Sequence, residues 1–319
     1  MVAANGRAKR MAEAVGAYVD YKQSLGMRFV TEARTLKSFC QALGNVEMNQ
    51  VEPARVDAYL AGKGSVTRFW HRKLDALRGF YRFALARGYA TCSPLHTITP
   101  QQPQAFVPYI YSHDEVKRLL DATEGREHCN LSSLTCRTLL LLLYGTGLRI
   151  SEAIRLDWND VDLENRILSI RESQFYKTRL VPTGADLTQV LARYAVERAK
   201  LLPIVPDAPF LLTQRGQRVS RAGAESAFRQ LRQRAGVCRE DEARYQPRLH
   251  DFRHAFAVTR LITWYRAGAD VQRLLPQLAT YLGHVHITGT QHYLTMTPEL
   301  LQQVSLRFER YALGVNCDA

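Results

Sequence analysis

The chain has 319 residues, 46% of them hydrophobic and 23% charged, which excludes a disordered chain and leaves room for about two folded domains. Lysine and arginine number 43 against 30 aspartate and glutamate, and the net charge of +13 favours a polyanionic partner. The longest apolar run in the middle of the chain, Leu139–Tyr144, is far too short to span a membrane. With no export signal before Asp20 and six scattered cysteines, we expect a cytoplasmic protein with reduced thiols.

The N-terminal part predicts a bundle of about four helices. Three of them cover residues 12–26, 31–44 and 53–64, with Pro53 at one start and Gly44 at one end. The fourth has an apolar face with steps of three and four residues, formed by Trp70, Leu74, Leu77, Tyr81 and Ala84.

Basic side chains cover the other faces of this fourth helix. They are Arg68, Arg72, Lys73, Arg78, Arg82 and Arg87. Residues 1–105 hold 15 basic and 7 acidic side chains, a net of +8. A solvated helix face is one interpretation, but the concentration of charge in one small domain favours phosphate binding.

A charge-free stretch with four prolines, residues 92–110, lacks helical periodicity and predicts a linker. We place domain boundaries so that residues 1–97 form a helical domain with a basic surface, residues 98–110 the linker, and residues 111–319 a second domain.

The second domain begins with a predicted capping box, Ser112 with Glu115. A buried helix follows, then a break at Gly145–Gly147, then a second helix. Two β-rich runs, RILSIRES and RLVPTG, are joined by a polar turn and predict a hairpin. From Gly184 onward the pattern is again mainly helical.

Three stretches contain side chains suited to chemistry. In GTGLRISEAIRL, Arg149 stands at a helix start that would suit a phosphate, although Glu152 capping an ordinary surface arginine explains it equally well. In RLHDFRHAFAV, His250 and Arg253 share a helix face, where a guanidinium can bind phosphate oxygens and an imidazole can move a proton. The pair His250 and His254 also has zinc spacing, without the glutamate of HExxH.

The third stretch is TYLGHVHITGTQHYL, and it lies in a region rich in histidine. Five of the nine histidines fall between His250 and His292, where hydrogen-bonded structure is a competing explanation. Tyr293 taken alone is most simply a core aromatic. A phenol with a pKa of about 10 needs neighbouring groups that accept its proton and stabilise charge on the substrate before it can act as a nucleophile.

The order of these motifs resembles the tyrosine recombinase, or phage integrase, family over essentially the whole chain. GTGLRISEAIRLDWNDVD resembles the first box of the family, and LHDFRHAFAV with YLGHVHITGTQHYL resembles the second. RLVP and WYRAGADVQRLLPQLATYLGH look like a subgroup carried by transposons and other mobile elements.

The resemblance implies a mainly α protein with the tyrosine recombinase fold. A helical core-binding (SAM-like) domain would precede a mostly helical catalytic domain with a small β-sheet. Arg149, His250, Arg253 and His284 would surround a scissile phosphate that Tyr293 attacks to form a 3′-phosphotyrosine, and Glu152 would orient its neighbours. No metal and no cofactor are required.

One position departs from the family pattern. The family places a lysine, thought to protonate the leaving oxygen, five residues before the arginine of RLVP, and Gln174 stands there. A glutamine amide cannot act as a general acid. Lys177, in the same turn, is the candidate to replace it, and a solvated or DNA-backbone-contacting lysine is the alternative.

The resemblance also implies partners: double-stranded DNA, and a homotetramer on paired sites, with or without a second recombinase or a DNA-bending protein. An amphipathic helix predicted over residues 297–314 would be exchanged between protomers. Two other functions stay open. One is a DNA-binding relative that is weak or inactive in catalysis, which Gln174 favours, and the other is a zinc-dependent hydrolase that uses the clustered histidines.

Overall fold

The structure is a computed structural model, and it describes residues 10–44, 46–62, 66–101, 108–124, 131–171, 178–203, 205–241, 243, 245–284, 286–295, 302 and 305. The chain divides into two compact units, Met1–Phe106 and Val107–Ala319. Within the described residues, no helix combines the length and the apolar character that a membrane span requires.

The first unit is a helical bundle, as predicted. Its helices are α1 (Met11–Ser24), α2 (Val30–Leu43), α3 (Pro53–Ala61) and α4 (Arg68–Ala86). α4 begins after Thr67, whose side chain accepts a hydrogen bond from the Trp70 N–H, and its apolar face packs into the core of the unit.

The second unit is mostly helical with one small antiparallel sheet, which confirms the predicted fold class. Its helices are α5 (His113–Asp121), α6 (Ser133–Thr146), α7 (Ile150–Ala153), α8 (Ala185–Ala199), α9 (Arg221–Arg234), α10 (Asp251–Arg266), α11 (Val271–Leu282) and α12 (Thr288–Gln291). The strands are β1 (Val161–Asp162), β2 (Ile167–Ile170) and β3 (Arg179–Pro182), in the order β1-β2-β3.

The predicted hairpin is the β2–β3 pair, in which Ile170 lies opposite Arg179 and Leu168 opposite Val181. The two-residue strand β1 was not predicted, because a run that short carries no recognisable alternation. The capping box at the start of α5 is present: Ser112 Oγ accepts from the Glu115 N–H, and the Glu115 carboxylate accepts from the Ser112 N–H.

The glycine break is narrower than predicted. α6 continues through Gly145 and ends at Gly147, whose φ of 63° is left-handed. A Cβ there would lie 2.6 Å from the Phe256 ring, so only glycine allows this close approach. The predicted second helix is α7, a single turn of four residues.

Two predictions fall outside the described residues. One is the turn predicted between the two β-rich runs, since residues 172–177, which include Gln174 and Lys177, are not described. The C-terminal helix expected over residues 297–314 is described only at Gln302 and Ser305.

Candidate active site

Four segments of the second unit bring the predicted site residues together. Arg149 lies between α6 and α7, His250 and Arg253 at the start of α10, His284 just after α11, and Tyr293 in the 3-10 turn His292–Thr295. Arg253 is 2% exposed. Burial lowers its pKa to about 10, with Arg149 and Arg179 acting in the same direction, so the guanidinium stays charged at neutral pH.

The end of α11 holds three arginines through three consecutive backbone carbonyls. Arg179 Nε donates to the Tyr281 carbonyl at 2.9 Å. Arg253 Nη2 donates to the Leu282 carbonyl at 2.6 Å, and Arg149 Nη2 to the Gly283 carbonyl at 3.4 Å. Because a helix C-terminus carries partial negative charge, this α11 carbonyl triplet favours cations.

Arg253 has a second anchor of the same kind. Its Nη1 donates to the Gly147 carbonyl at 2.9 Å, just past the end of α6. Two helix ends therefore fix this guanidinium through the main chain, and it forms no ion pair with a carboxylate among the described residues. Its positive charge remains available to an anion.

Glu152 is the one carboxylate among these arginines in the described site. It accepts from the Arg149 N–H at 3.0 Å and from Arg149 Nη1 at 2.8 Å. Arg179 contributes two more bonds, at 3.1 and 2.8 Å. Burial acts to raise the pKa of Glu152, but the hydrogen bonds and charges of Arg179 and Arg149 outweigh it and hold the pKa at about 2.

The same contacts correct the expectation for Arg149. Its backbone N–H donates to Glu152, so this amide is not free to bind an anion. What Arg149 can offer is its side chain, which is partly exposed at 21%. The capping role of Glu152, proposed as the ordinary alternative, and a site role for Arg149 therefore coexist.

Arg179 is the site residue that sequence reasoning missed. In the sequence, Arg179 served only to locate Gln174, which lies five residues before it. Its side chain is 10% exposed and bridges Glu152 to α11, so it links β3 to the position of Arg149. Nothing local marks this role, because Arg179 and its partner Tyr281 lie 102 positions apart.

Both site histidines are neutral at pH 7. Burial lowers the pKa of His250 to about 4, with His254 and Arg253 adding to the effect. Burial, then Arg253, Arg149 and Arg179, lower the pKa of His284 to about 4. His284 Nδ1 lies 2.6 Å from Thr290 Oγ1, which fixes the ring. Each neutral imidazole can both accept and donate a hydrogen bond.

Tyr293 is 3% exposed and packs between two imidazoles. Its ring centroid lies 5.5 Å from that of His254 and 6.0 Å from that of His284. Burial raises the pKa of the phenol, while the charge and hydrogen bond of Arg253 and the charge of Arg149 act to lower it. The arginines thus favour the phenolate that a nucleophilic tyrosine must become.

His254 contacts both His250 and Tyr293. Its ring is perpendicular to that of His250, with centroids 5.0 Å apart, and it also contacts Tyr293. The part of the chain that the structure describes contains no group of three or more histidine, cysteine, aspartate or glutamate residues placed to hold a metal. The zinc interpretation therefore gains no third ligand from these residues.

Comparisons with known proteins identify the family of the chain. The model of the phage integrase family matches residues 110–299. A Sinorhizobium fredii protein described as an integrase/recombinase, y4rE, is 36% identical over 310 residues, covering 94% of this chain and 96% of that protein. The tyrosine recombinase XerD of Mycobacterium tuberculosis is 36% identical over 242 residues, covering 73% of this chain and 71% of XerD.

Solved structures show the same fold at low sequence identity. The Tn1549 transposon integrase in complex with transposon right end DNA has a TM-score of 0.70 at 16% identity, covering 95% of this chain and all of that one. A λ integrase dimer bound to a core site has a TM-score of 0.64 at 17% identity, covering 88% and 97%. The chain belongs to the phage integrase family and is a tyrosine-type site-specific recombinase.

Proposed function

We propose that the protein cuts and rejoins DNA through a 3′-phosphotyrosine on Tyr293, for the integration, excision or resolution of a mobile element. The observation that carries the proposal is a buried tyrosine that packs against His254 and His284 and lies within the electrostatic reach of Arg253 and Arg149. When the phosphorus of a phosphodiester is attacked, negative charge grows on its non-bridging oxygens, and cations and hydrogen-bond donors stabilise that charge.

In the proposed step, the phenolic oxygen of Tyr293 attacks the phosphorus and the bond from phosphorus to the 5′-oxygen breaks. One strand end becomes esterified to Tyr293, and the other becomes a free 5′-hydroxyl. Attack by the 5′-hydroxyl of a second strand reverses the chemistry and joins the strands. The phosphodiester energy is kept in the tyrosyl ester, so no ATP is needed.

Each side chain has a proposed task in this step. Arg149 and Arg253 bind the non-bridging oxygens. His250 is neutral at pH 7 and accepts the phenolic proton, and His284 donates a hydrogen bond to the phosphate. Lys177 protonates the leaving 5′-oxygen in place of the lysine that Gln174 replaces.

The biological setting is proposed from the relatives and from charge. The structural neighbour from Tn1549 is a transposon integrase, and λ integrase has been solved as a tetramer bound to a Holliday junction. We propose that this protein likewise acts on duplex DNA as a homotetramer, with residues 1–97 binding DNA, residues 111–319 carrying catalysis, and the segment 297–314 exchanged between protomers. The net charge of +8 on residues 1–105 supports DNA binding by the first domain.

The test uses DNA duplexes that tile the native flanks of the gene, each with a nick a few nucleotides from the candidate cleavage point. Cleavage releases a short fragment that diffuses away, so the covalent product accumulates. We expect wild-type protein in EDTA to give a protein–DNA adduct on a denaturing gel. Tyr293→Phe, which removes only the attacking oxygen, should bind the same DNA and give none.

Tyr144→Phe is the matched control, because Tyr144 is a half-buried core tyrosine that packs edge-on against Phe252. It should form the adduct at the wild-type rate. Specific binding without any adduct from wild-type protein would refute catalysis and favour the inactive DNA-binding relative. An adduct formed equally well by Tyr293→Phe would refute the assignment of the nucleophile.

A further inference from the structure

The first turn of α4 holds an unusually exposed aromatic ring. Among the described phenylalanine, tyrosine and tryptophan residues, Phe69 is the most exposed, at 54%. Two cations lie against its ring. The guanidinium carbon of Arg72 is 5.8 Å from the ring centroid, and Lys73 Nζ is 5.1 Å from it.

The cation closest to the ring is held in place from beneath. Lys73 Nζ donates to the Tyr59 carbonyl at 3.0 Å and lies 4.5 Å from the centroid of the Tyr59 ring. The Tyr59 hydroxyl in turn donates to the Thr35 carbonyl at 2.9 Å, and its ring packs against Phe39. Phe69 is therefore supported by side chains that have already lost their freedom, which lowers the entropic cost of binding.

A single exposed apolar side chain normally needs no explanation. Phe69 differs because it lies among positive charges, with Arg68 beside it in the chain, on a unit whose first 105 residues carry a net charge of +8. Such a surface attracts a polyanion. The apolar ring of Phe69 among these charges would be matched by an apolar group on that polyanion.

Duplex DNA offers one such group in the major groove, the 5-methyl of thymine. The groove is about 12 Å wide and admits an α-helix, whose first turn can reach the base edges. Phe69 lies in the first turn of a 19-residue helix, and Arg72 and Lys73 lie one turn further on. This order suits a ring on the base edge with cations on the flanking phosphates.

We propose that Phe69 is a base-reading residue that contacts a thymine 5-methyl in the DNA major groove. Arg72 and Lys73 bind the phosphates on either side of this contact. The inference rests on the proposed DNA-binding function and adds to it a sequence preference for thymine at one position of each half-site.

The experiment replaces each thymine of the bound half-site, one at a time, by deoxyuridine. This change removes the methyl and leaves the pairing and every hydrogen-bonding group intact. Losing one buried methyl should weaken wild-type binding about fourfold at the contacted position. Phe69→Ala should bind the thymine and deoxyuridine duplexes equally.

Leu85→Ala is the matched control. Leu85 is 40% exposed and lies in the last turn of the same helix, so its removal takes an apolar side chain from α4 without touching Phe69. This variant should keep the full fourfold discrimination. Because both side chains are exposed, circular dichroism and thermal unfolding should show all three proteins folded alike.

Two results would overturn the inference. One is a wild-type protein that binds its site but shows no deoxyuridine effect at any position. The other is a Phe69→Ala protein that keeps the discrimination between thymine and deoxyuridine. If that protein also loses DNA bending in a fluorescence-transfer assay, Phe69 acts instead as a wedge between base pairs. The tyrosyl adduct is scored in the same reactions, so a failure of the proposed function appears separately as absence of any adduct.

Discussion

Replacing Glu152 by glutamine should destabilise the second unit, because it removes the one negative charge described among three guanidinium groups. The carboxylate accepts four hydrogen bonds from Arg149 and Arg179. Its pKa drops from 4.5 to about 2 in the folded protein. At about 1.4 kcal/mol for each pKa unit, the charge stabilises the folded state by about 3 kcal/mol at pH 7.

The pH dependence of this effect has a definite sign. A carboxyl group whose folded pKa is depressed stabilises the fold above its unfolded pKa, and this stabilisation is lost as pH falls through the folded value. The difference in the free energy of unfolding between wild type and Glu152→Gln should therefore keep nearly its pH 7 value down to about pH 5. At pH 3 it should have fallen to about half or less.

The assay is urea unfolding followed by tryptophan fluorescence in a Trp70→Phe background. That change leaves Trp158 and Trp264 as the reporters, and both lie in the second unit. Glu197→Gln is the matched control, since Glu197 forms an exposed ion pair with Lys200 and should cost less than about 1 kcal/mol. A Glu152→Gln difference below about 1 kcal/mol at pH 7, or one that is unchanged at pH 3, would refute the reasoning.

Three further predictions concern catalysis. Gly283→Ala and Gly268→Ala both place a side chain at a φ of 69°, and each should cost about 1–2 kcal/mol in unfolding measurements. Only Gly283→Ala puts a Cβ 2.8 Å from Arg179 Nη1, so it alone should slow adduct formation, and equal rates would contradict the role given to Arg179. Because the pKa values of His250 and His284 are about 4, the adduct rate should show no titration between pH 5.5 and 7.5, and a step near pH 6.5 would contradict their neutrality. Lys177→Ala should slow cleavage about 100-fold or more, and Lys200→Ala is the control that should leave the rate unchanged. A DNA substrate with sulfur in place of the bridging 5′-oxygen should restore the rate of Lys177→Ala, because a thiolate leaves without a proton. A variant that stays slow on the sulfur substrate would remove Lys177 from the general-acid role.

The helices were predictable because their signals are local. The capping box of Ser112 and Glu115 fixes one helix start, and the apolar spacing of α4 fixes its buried face. Arg149, His250, Arg253, His284 and Tyr293 were identified as a set only because their order resembles a family. Taken one at a time, each had an ordinary structural explanation.

The remaining features depend on contacts between distant segments. Arg179 becomes a site residue only when β3 approaches the end of α11, and His254 contacts Tyr293 only once α10 and the 3-10 turn pack together. The sequence set no end for α7, which stops at Ala153, whereas Asp157 and Asp160 begin a separate capped turn. Propensity and periodicity carry no information about such long-range choices.

The α11 carbonyl triplet also bears on how the site can change over evolutionary time. Tyr281, Leu282 and Gly283 hold their arginines through main-chain oxygens, which every amino acid possesses. Substituting the side chain of Leu282, for example, leaves its carbonyl in place as long as α11 still ends at the same residue. Selection on this part of the site therefore acts on where α11 stops. Gly283 sets that stop and Gly147 sets the end of α6, and both have a left-handed backbone that other residues rarely adopt.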